Sequence, residues 1–493
     1  MQYITEKQRQ TPVIAAPDIL VAGGGPAGIV AAIASARMGV NVILIERYGF
    51  VGGNLTTAMV NPLFTFHDIG GKQVIKGIAE EFVQRLKSHG ASFGHVTDLT
   101  FDNASMTPFD PESARLILLE MLEEAGVELL LHSLICSVGI ASSCINYVVI
   151  ENKSGRQAIC PRYMIDCTGD ADVVALAGAP FTIGRPEDGA MQPATLYFRV
   201  GGFDRPALLQ WMKDNCNLLK DSPVDDEIDS QRAIALLGLN DLVRQAIEAG
   251  ELDEETAPRI LMYELPHNQF SVNTTRLQQV DGTDAASLTR AEIRLRKQVL
   301  QVHAFLKNYI GGFEGSNIID SGVQVGIRET RHIQGDYMLT EDDILNGRSF
   351  ADGLACGTFA IDIHPPQGRE QIFTGSGKHV YEIPYRALLP QGIDNMLVAG
   401  RCISATHAAF GSIRVMATCM AIGQGAVVAA AILASSPQHV DVRSLDTAAL
   451  RTQLINQGQY LLDAELPDDI DPALILKRIN GSGARAGHYN PYG

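Results

Sequence analysis

Basic residues are in short supply. Lysine and arginine number 39 against 56 aspartates and glutamates, so 39 − 56 = −17, a balance that repels nucleic acid and anionic membranes at long range and argues against either as a partner. The densest basic stretch, Arg290, Arg294, Arg296 and Lys297, shares a helical pattern with Glu292 and reads as a solvated face. The eight cysteines contain no Cys-x-x-Cys pair and no zinc spacing, which argues against a redox-active disulfide and a structural metal. The 12 histidines contain no His-Glu-x-x-His, so no metal site is expected. The opening "MQYITEKQRQTP" lacks the basic start and apolar run of a signal peptide; with unpatterned cysteines this predicts a cytoplasmic protein. Long apolar runs are also missing. The nearest, Ala417 to Leu433, is short and carries Gly423, Gln424 and Gly425, so a buried helix is expected rather than a membrane span. "GSGKH" (375–379) lacks the first glycine of a P-loop and has His379 in place of the Ser/Thr, which removes phosphate hydrolysis from consideration.

What is present begins at "LVAGGGPAG" (20–28). A short apolar run from Asp18 to Ala22 predicts a strand, and the small-residue pattern from Ala27 to Arg37 a helix packed closely on it. Gly23, Gly25 and Gly28 take the three glycine positions of a dinucleotide fingerprint: a tight turn, close approach of backbone to pyrophosphate, and close packing of helix on strand. Pro26 and Ala27 open the helix whose N-terminal amides would meet the phosphates. The next strand, "VNVILIE", ends in Glu46, whose carboxylate suits the two ribose hydroxyls of an adenosine, with Arg47 beside it. An ADP moiety follows; NAD and FAD both contain one.

Three later stretches bear on that choice. "VGGNLT" (51–56) offers Gly53 and Asn54 to a phosphate or a ring edge. "YMIDCTGDADVVALAG" (163–178) is a strand ending at Gly169 and Asp170. At 395–432 a strand ends in Gly400 and Arg401, and a long apolar helix is expected from about Ser412, placing Ile413 and Arg414 at its positive end, where a reduced flavin gathers negative charge. An NAD site needs only the first unit, whereas the longer FAD commonly recruits chain from both ends.

The fingerprint, the "GGN" of 52–54, "CTGDADV", "MQPATLYFRVGG" (191–202), "GIRETRHIQGDYMLTEDDI" (326–344) and "LVAGRCISATHAAFGSIRVM" (397–416) together resemble FAD-dependent oxidoreductases of the glutathione-reductase-like superfamily, in a bacterial family allied to the fumarate reductase and succinate dehydrogenase flavoproteins. The resemblance spans about residues 17 to 434. It departs at "GQGAVVAAA" (423–431), where such proteins often have Gly-x-Ala-Ala-Gly. It implies FAD as cofactor and an α/β fold: a Rossmann-like FAD-binding domain of three ββα layers with an inserted α+β substrate domain. The FAD domain is expected from 15–60, 110–200 and 380–434, the substrate or cap domain from 61–109 and 201–379, and a C-terminal tail from 435 that is either a mobile end or a subunit contact, which leaves homo-oligomerisation open.

Flavin chemistry asks little of the protein: a pocket over the ring, an acid or base, and charge to match the substrate. The alternation in "SGVQVGIRETRHIQG" (321–335) predicts a strand with Val323, Val325 and Ile327 on one side and Gln324, Arg328, Thr330 and His332 on the other, so Arg328 and His332 are candidate catalytic residues, or members of an exposed face. His407 either takes a proton as hydride leaves to N5 or hydrogen-bonds its own loop. Arg414, in a first helical turn where acids are preferred, points to an anionic partner or an ion pair. Arg199 is a lesser candidate. His364, in the proline-set turn "IDIHPPQG" (361–368), is placed at the mouth of the pocket or merely in the turn. The expected function is an FAD-dependent dehydrogenase or oxidase moving hydride from a small polar substrate, with or without a carboxylate, to flavin N5. A reductase of an activated C=C bond and a flavin monooxygenase are the alternatives. The electron acceptor stays open among O₂, a quinone and a partner protein.

Overall fold

The computed structural model describes residues 4–5, 8–98, 103–219, 233–367, 372–374, 380–436, 438 and 440–462. Ile19–Ala22, Val42–Ile45 and Tyr163–Asp166 are four-residue strands buried at every position, the pattern of a sheet covered on both faces. With Met396–Val398 and Glu128–Leu130 they form one parallel sheet in the order 396–398, 163–166, 19–22, 42–45, 128–130. In chain order this is the 3-2-1-4-5 arrangement, in which ligands sit beyond the carboxyl ends of the strands.

One face of the sheet carries the helices Pro26–Arg37, Pro111–Ala125 and Met416–Ala434. The first and last of these touch through backbone: a Cβ at Gly423 would lie 2.1 Å from the Ala27 carbonyl oxygen. Met416–Ala434 is long and apolar enough to cross a membrane, but 94% of its apolar window is buried inside the protein, so it is a core helix. A second sheet (Val13–Ala15, Leu134–Ala141, Cys144–Asn152, Gly155–Ile159) adds Ile145, Val148, Ile150 and Ile159 to the same core. The result is the three-layer Rossmann-like architecture.

A second hydrophobic core lies under a five-stranded antiparallel sheet ordered 235–238, 260–265, 269–272, 198–201, 317–321, covered by helices Arg205–Asp214, Asn240–Glu248 and Ala285–Tyr309. Period-two alternation splits Ile260–Leu265: Ile260 and Met262 enter the helix-covered core, while Leu261 and Tyr263 pack with Val96 and Met106 on the other face.

These cores divide the chain differently from the expected boundaries. In the segment 61–109, helix Ile78–Ser88 buries Ile78, Phe82, Val83 and Leu86 in the first core and presents Glu81 to Arg37 at 2.7 Å. Beyond residue 330, Ile333, Leu339, Leu354 and Ile361 also join the first core, so the independent second core ends near Ile327. The expected tail is corrected likewise: Leu450, Leu454 and Leu461 are buried and Arg451 pairs with buried Glu382 at 2.9 Å. Residues 463–493 lie outside the described residues, as does "GSGKH".

Two local expectations are overturned. Within the segment 321–335, Ser321 ends the strand Asn317–Ser321 and only Arg331–Ile333 forms a further strand, pairing with Phe181–Ile183; residues 322–330 between them run irregularly, touching Thr195 by a single bridge at Gly326, so their side chains do not alternate. The helix expected from Ser412 is two helices, His407–Ile413 and Met416–Ala434, because Val415 is extended at ψ 144.

Candidate active site

The loops at the carboxyl end of the parallel sheet enclose a cleft. Gly23 (φ +94) turns where a Cβ would lie 2.7 Å from the Cys167 carbonyl oxygen. At Gly25 the nearest protein atoms to a Cβ would be 4.0 Å away, so it would project into the cleft, which Gly25, Pro26 and Ala27 line. Gly28 serves packing: its Cβ would collide with the Gly23 carbonyl at 1.9 Å, and it is not part of the cleft wall. Glu46 accepts the Gly24 and Tyr48 amides at 2.8 and 3.0 Å; burial raises its pKa against these hydrogen bonds. Arg47 stacks on Tyr48, and the Tyr48 hydroxyl donates to Gln324. Leu288 and Glu292 of the long helix of the second core close this end.

Gly53 and Asn54 form the opposite wall, and a Cβ at Gly53 would be 2.8 Å from Gly25 Cα. Gly169, Asp170, Gly400 and Arg401 complete it. Arg401 is a clamp: it donates to the carbonyls of Gly169 and Ile327, both at 2.7 Å, and pairs with Asp170 at 2.6 Å. Ile413, expected at the cofactor, is fully buried at the end of the short helix and lines neither this cleft nor the next, because the chain breaks after it. The helix that does begin there starts at Met416, with no side-chain cap on its first amides.

Arg401, Arg414, Met416, Ile327 and Asn54 also line a second, adjoining cavity of about 780 Å³. Five arginines border it (259, 276, 328, 401 and 414), with Asp362 the one carboxylate among the described lining residues. Arg414 is paired with Asp362 at 2.8 Å, and Asp362 also meets His364 Nε2 at 3.2 Å. Burial, assisted by Arg328 and Arg414 and opposed by Asp362, holds His364 down to about 4, so it is neutral at pH 7. Burial, with Arg414 and Arg276, brings Arg328 down to about 10, still charged at neutral pH. Its one hydrogen bond is to the Pro193 carbonyl, and no carboxylate lies within ion-pair distance among the described residues.

His332 and His407 are not at this cavity. His332 is 1% exposed, packs edge-on against Phe410 and bonds Glu329 at 3.0 Å; His407 Nδ1 bonds the same oxygen at 2.7 Å. Burial pushes Glu329 up, but the two histidines outweigh it and hold the carboxyl at about 2. Because residues 322–330 are not a strand, Arg328 enters the cavity while Glu329 and His332 enter the core, and neither His332 nor His407 is among the residues lining the cleft or the cavity. Arg199 is likewise held structurally, by Asp110 and by Asp320 at 2.5 Å. Tyr197 and Asp362 at the cavity were missed by sequence reasoning; the only signal for Tyr197 was its place in "MQPATLYFRVGG".

Residues 18–454 match the family model described as FAD dependent oxidoreductase. The chain belongs to this family. It is an FAD-dependent enzyme, and the cleft fits that cofactor: the missing side chain at Gly25 leaves room for a pyrophosphate, and the buried carboxylate of Glu46 lines the same cleft. Among solved structures, this FAD-dependent oxidoreductase is similar to the flavin-dependent brominase Bmp2 (13% identity, 89% of this chain and 84% of that one, TM-score 0.47). It is also similar to a geranylgeranyl bacteriochlorophyll reductase-like protein from Thermoplasma acidophilum (11%, 94% and 96%, 0.43). A third is p-nitrophenol 4-monooxygenase PnpA from Pseudomonas putida DLL-E4 (11%, 95% and 94%, 0.43). No curated protein matches the chain.

Proposed function

We propose that this enzyme is a dehydrogenase or oxidase of a small polar substrate bearing a carboxylate, with hydride passing to flavin N5. The observation that carries this reading is the arginine-bordered cavity adjoining the dinucleotide cleft at Arg401, Arg414 and Met416. Arg328, with no carboxylate in ion-pair contact among the described residues, carries positive charge into this partly desolvated space beside Arg414 and Arg276, which suits an anion. Bound FAD supplies a two-electron acceptor. The protein binds and orients: Arg401 ties the strand ends 169–170 to Ile327 and so fixes the wall common to cleft and cavity, and Asp362 holds Arg414 at the start of the core helix. Neutral His364 lines the cavity, and the burial and arginines that hold it down to about 4 suit it to hydrogen-bonding a substrate rather than to taking its proton at neutral pH.

The resemblance to flavoproteins allied to fumarate reductase supports a second reading, reduction of an activated C=C bond. The same positive charge favours it, since such charge stabilises negative charge building on a conjugated carboxylate. Anaerobic mixing separates the two. Bleaching of the flavin band by hydroxy or amino acids, and not by their amides, is the expected result. Bleaching by neutral analogues alone would sink the carboxylate requirement, and reoxidation of chemically reduced enzyme by unsaturated carboxylates would select the second reading.

A further inference from the structure

Of the arginines at the cavity, Arg414 and Arg401 are already neutralised, by Asp362 and Asp170. Arg328 differs. Its charge is partly buried, faces like charges on Arg414 and Arg276, and is balanced by no carboxylate in ion-pair contact among the described residues. Beside it stands Tyr197, the residue before the sheet strand Phe198–Gly201, also at the cavity. Tyr197 is 5% exposed, yet its hydroxyl has no hydrogen-bond partner among the described residues; the groups that act on it electrostatically are Arg328, Arg414 and Asp362. Burial, partly offset by the two arginines, raises the phenol to about 12, so it is a donor at neutral pH.

A guanidinium with no carboxylate in ion-pair contact among the described residues and a phenol lining the same cavity can be met together by one ligand. We propose that Arg328 and Tyr197 together hold the substrate carboxylate, a subsite separate from the Asp362, His364 and Arg414 group. The guanidinium offers a two-pronged contact and the phenol a third hydrogen bond, within the acceptor capacity of a single carboxylate. Asp362 nearby opposes a more highly charged anion such as phosphate. This assignment rests on the reading of an anionic substrate given above.

The test is binding to the FAD-loaded enzyme, followed by calorimetry and by perturbation of the flavin spectrum, with acetate and benzoate as probes and acetamide and inorganic phosphate as controls. Arg328→Gln is expected to weaken carboxylate binding about a hundredfold and Tyr197→Phe about tenfold, with FAD content and thermal midpoint unchanged in Tyr197→Phe. If both variants bind acetate as wild type does, the subsite falls while the anionic-substrate reading stands. If wild type binds acetamide as well as acetate, or binds no carboxylate, both fall. Tighter binding of phosphate than of acetate overturns the assignment of the ligand.

Discussion

Arg328 and Glu329 are neighbours in sequence and opposites in circumstance. Glu329 is fully buried, with one oxygen bonded by His332 and His407 and the other by the Gln192 amide at 3.0 Å. Arg328 borders a cavity with one backbone acceptor and, among the described residues, no counter-ion in contact. In the first cluster both carboxylate oxygens are met by protein donors, although His332 Nδ1 is buried without a partner among the described residues; in the second the charge is not met. Residue type does not separate them, since histidines near a flavin are attractive catalysts. What separates them is whether the protein itself compensates the charge.

That contrast is open to experiment. Glu329→Ala strands two imidazoles in the core and is expected to cost about 3–5 kcal/mol of stability, read by thermal unfolding; a loss below about 1 kcal/mol would show that the cluster does not support the fold. Arg328→Gln is expected to change stability by less than about 1 kcal/mol while lowering kcat/KM for a carboxylate substrate by about a hundredfold. The contrast collapses if that variant instead unfolds with substrate turnover per folded molecule intact. Acid unfolding sharpens the comparison. The folded pKa of Glu329, about 2, lies below its ordinary 4.5, so its contribution is full above about 4.5 and is lost as pH falls through about 2. Glu329→Gln should flatten the stability profile over that window, and an unchanged slope would assign acid sensitivity elsewhere. The smallest effect is expected for His407→Asn: about 1 kcal/mol of stability and flavin reduction within about twofold of wild type. A collapse in reduction rate without loss of FAD would restore His407 to the chemistry.

The strand, turn and helix of residues 19–37 were legible in sequence because their determinants are local: a four-residue buried run, a turn that only glycine can make at Gly23, and small residues on the helix. The alternation of 321–335 was misleading because an irregular chain threading between two cores also meets apolar and polar surroundings by turns. Nothing in "SIRVMA" announces the break at Val415, which carries no glycine or proline signal; the break depends on how the flanking helices pack. Core membership departs from the expected domain boundaries for a related reason. Helix Ile78–Ser88 has an ordinary amphipathic face, and which core receives it is decided by partners at 111–125 and 416–434. Tyr197 was invisible because its place at the cavity beside Arg328 is a property of its surroundings in space.

The contact between Ala27 and Gly423 joins the opening of the family region to its close. During synthesis the glycine turn leaves the ribosome early, but the helix that covers it and completes the cofactor wall arrives only after nearly all the rest. The nascent chain therefore carries an apolar, alanine-rich helix with no cover for most of its translation. Capture of the flavin and closure of the main core become one late event, and chains truncated before residue 416 should accumulate as colourless, chaperone-bound species.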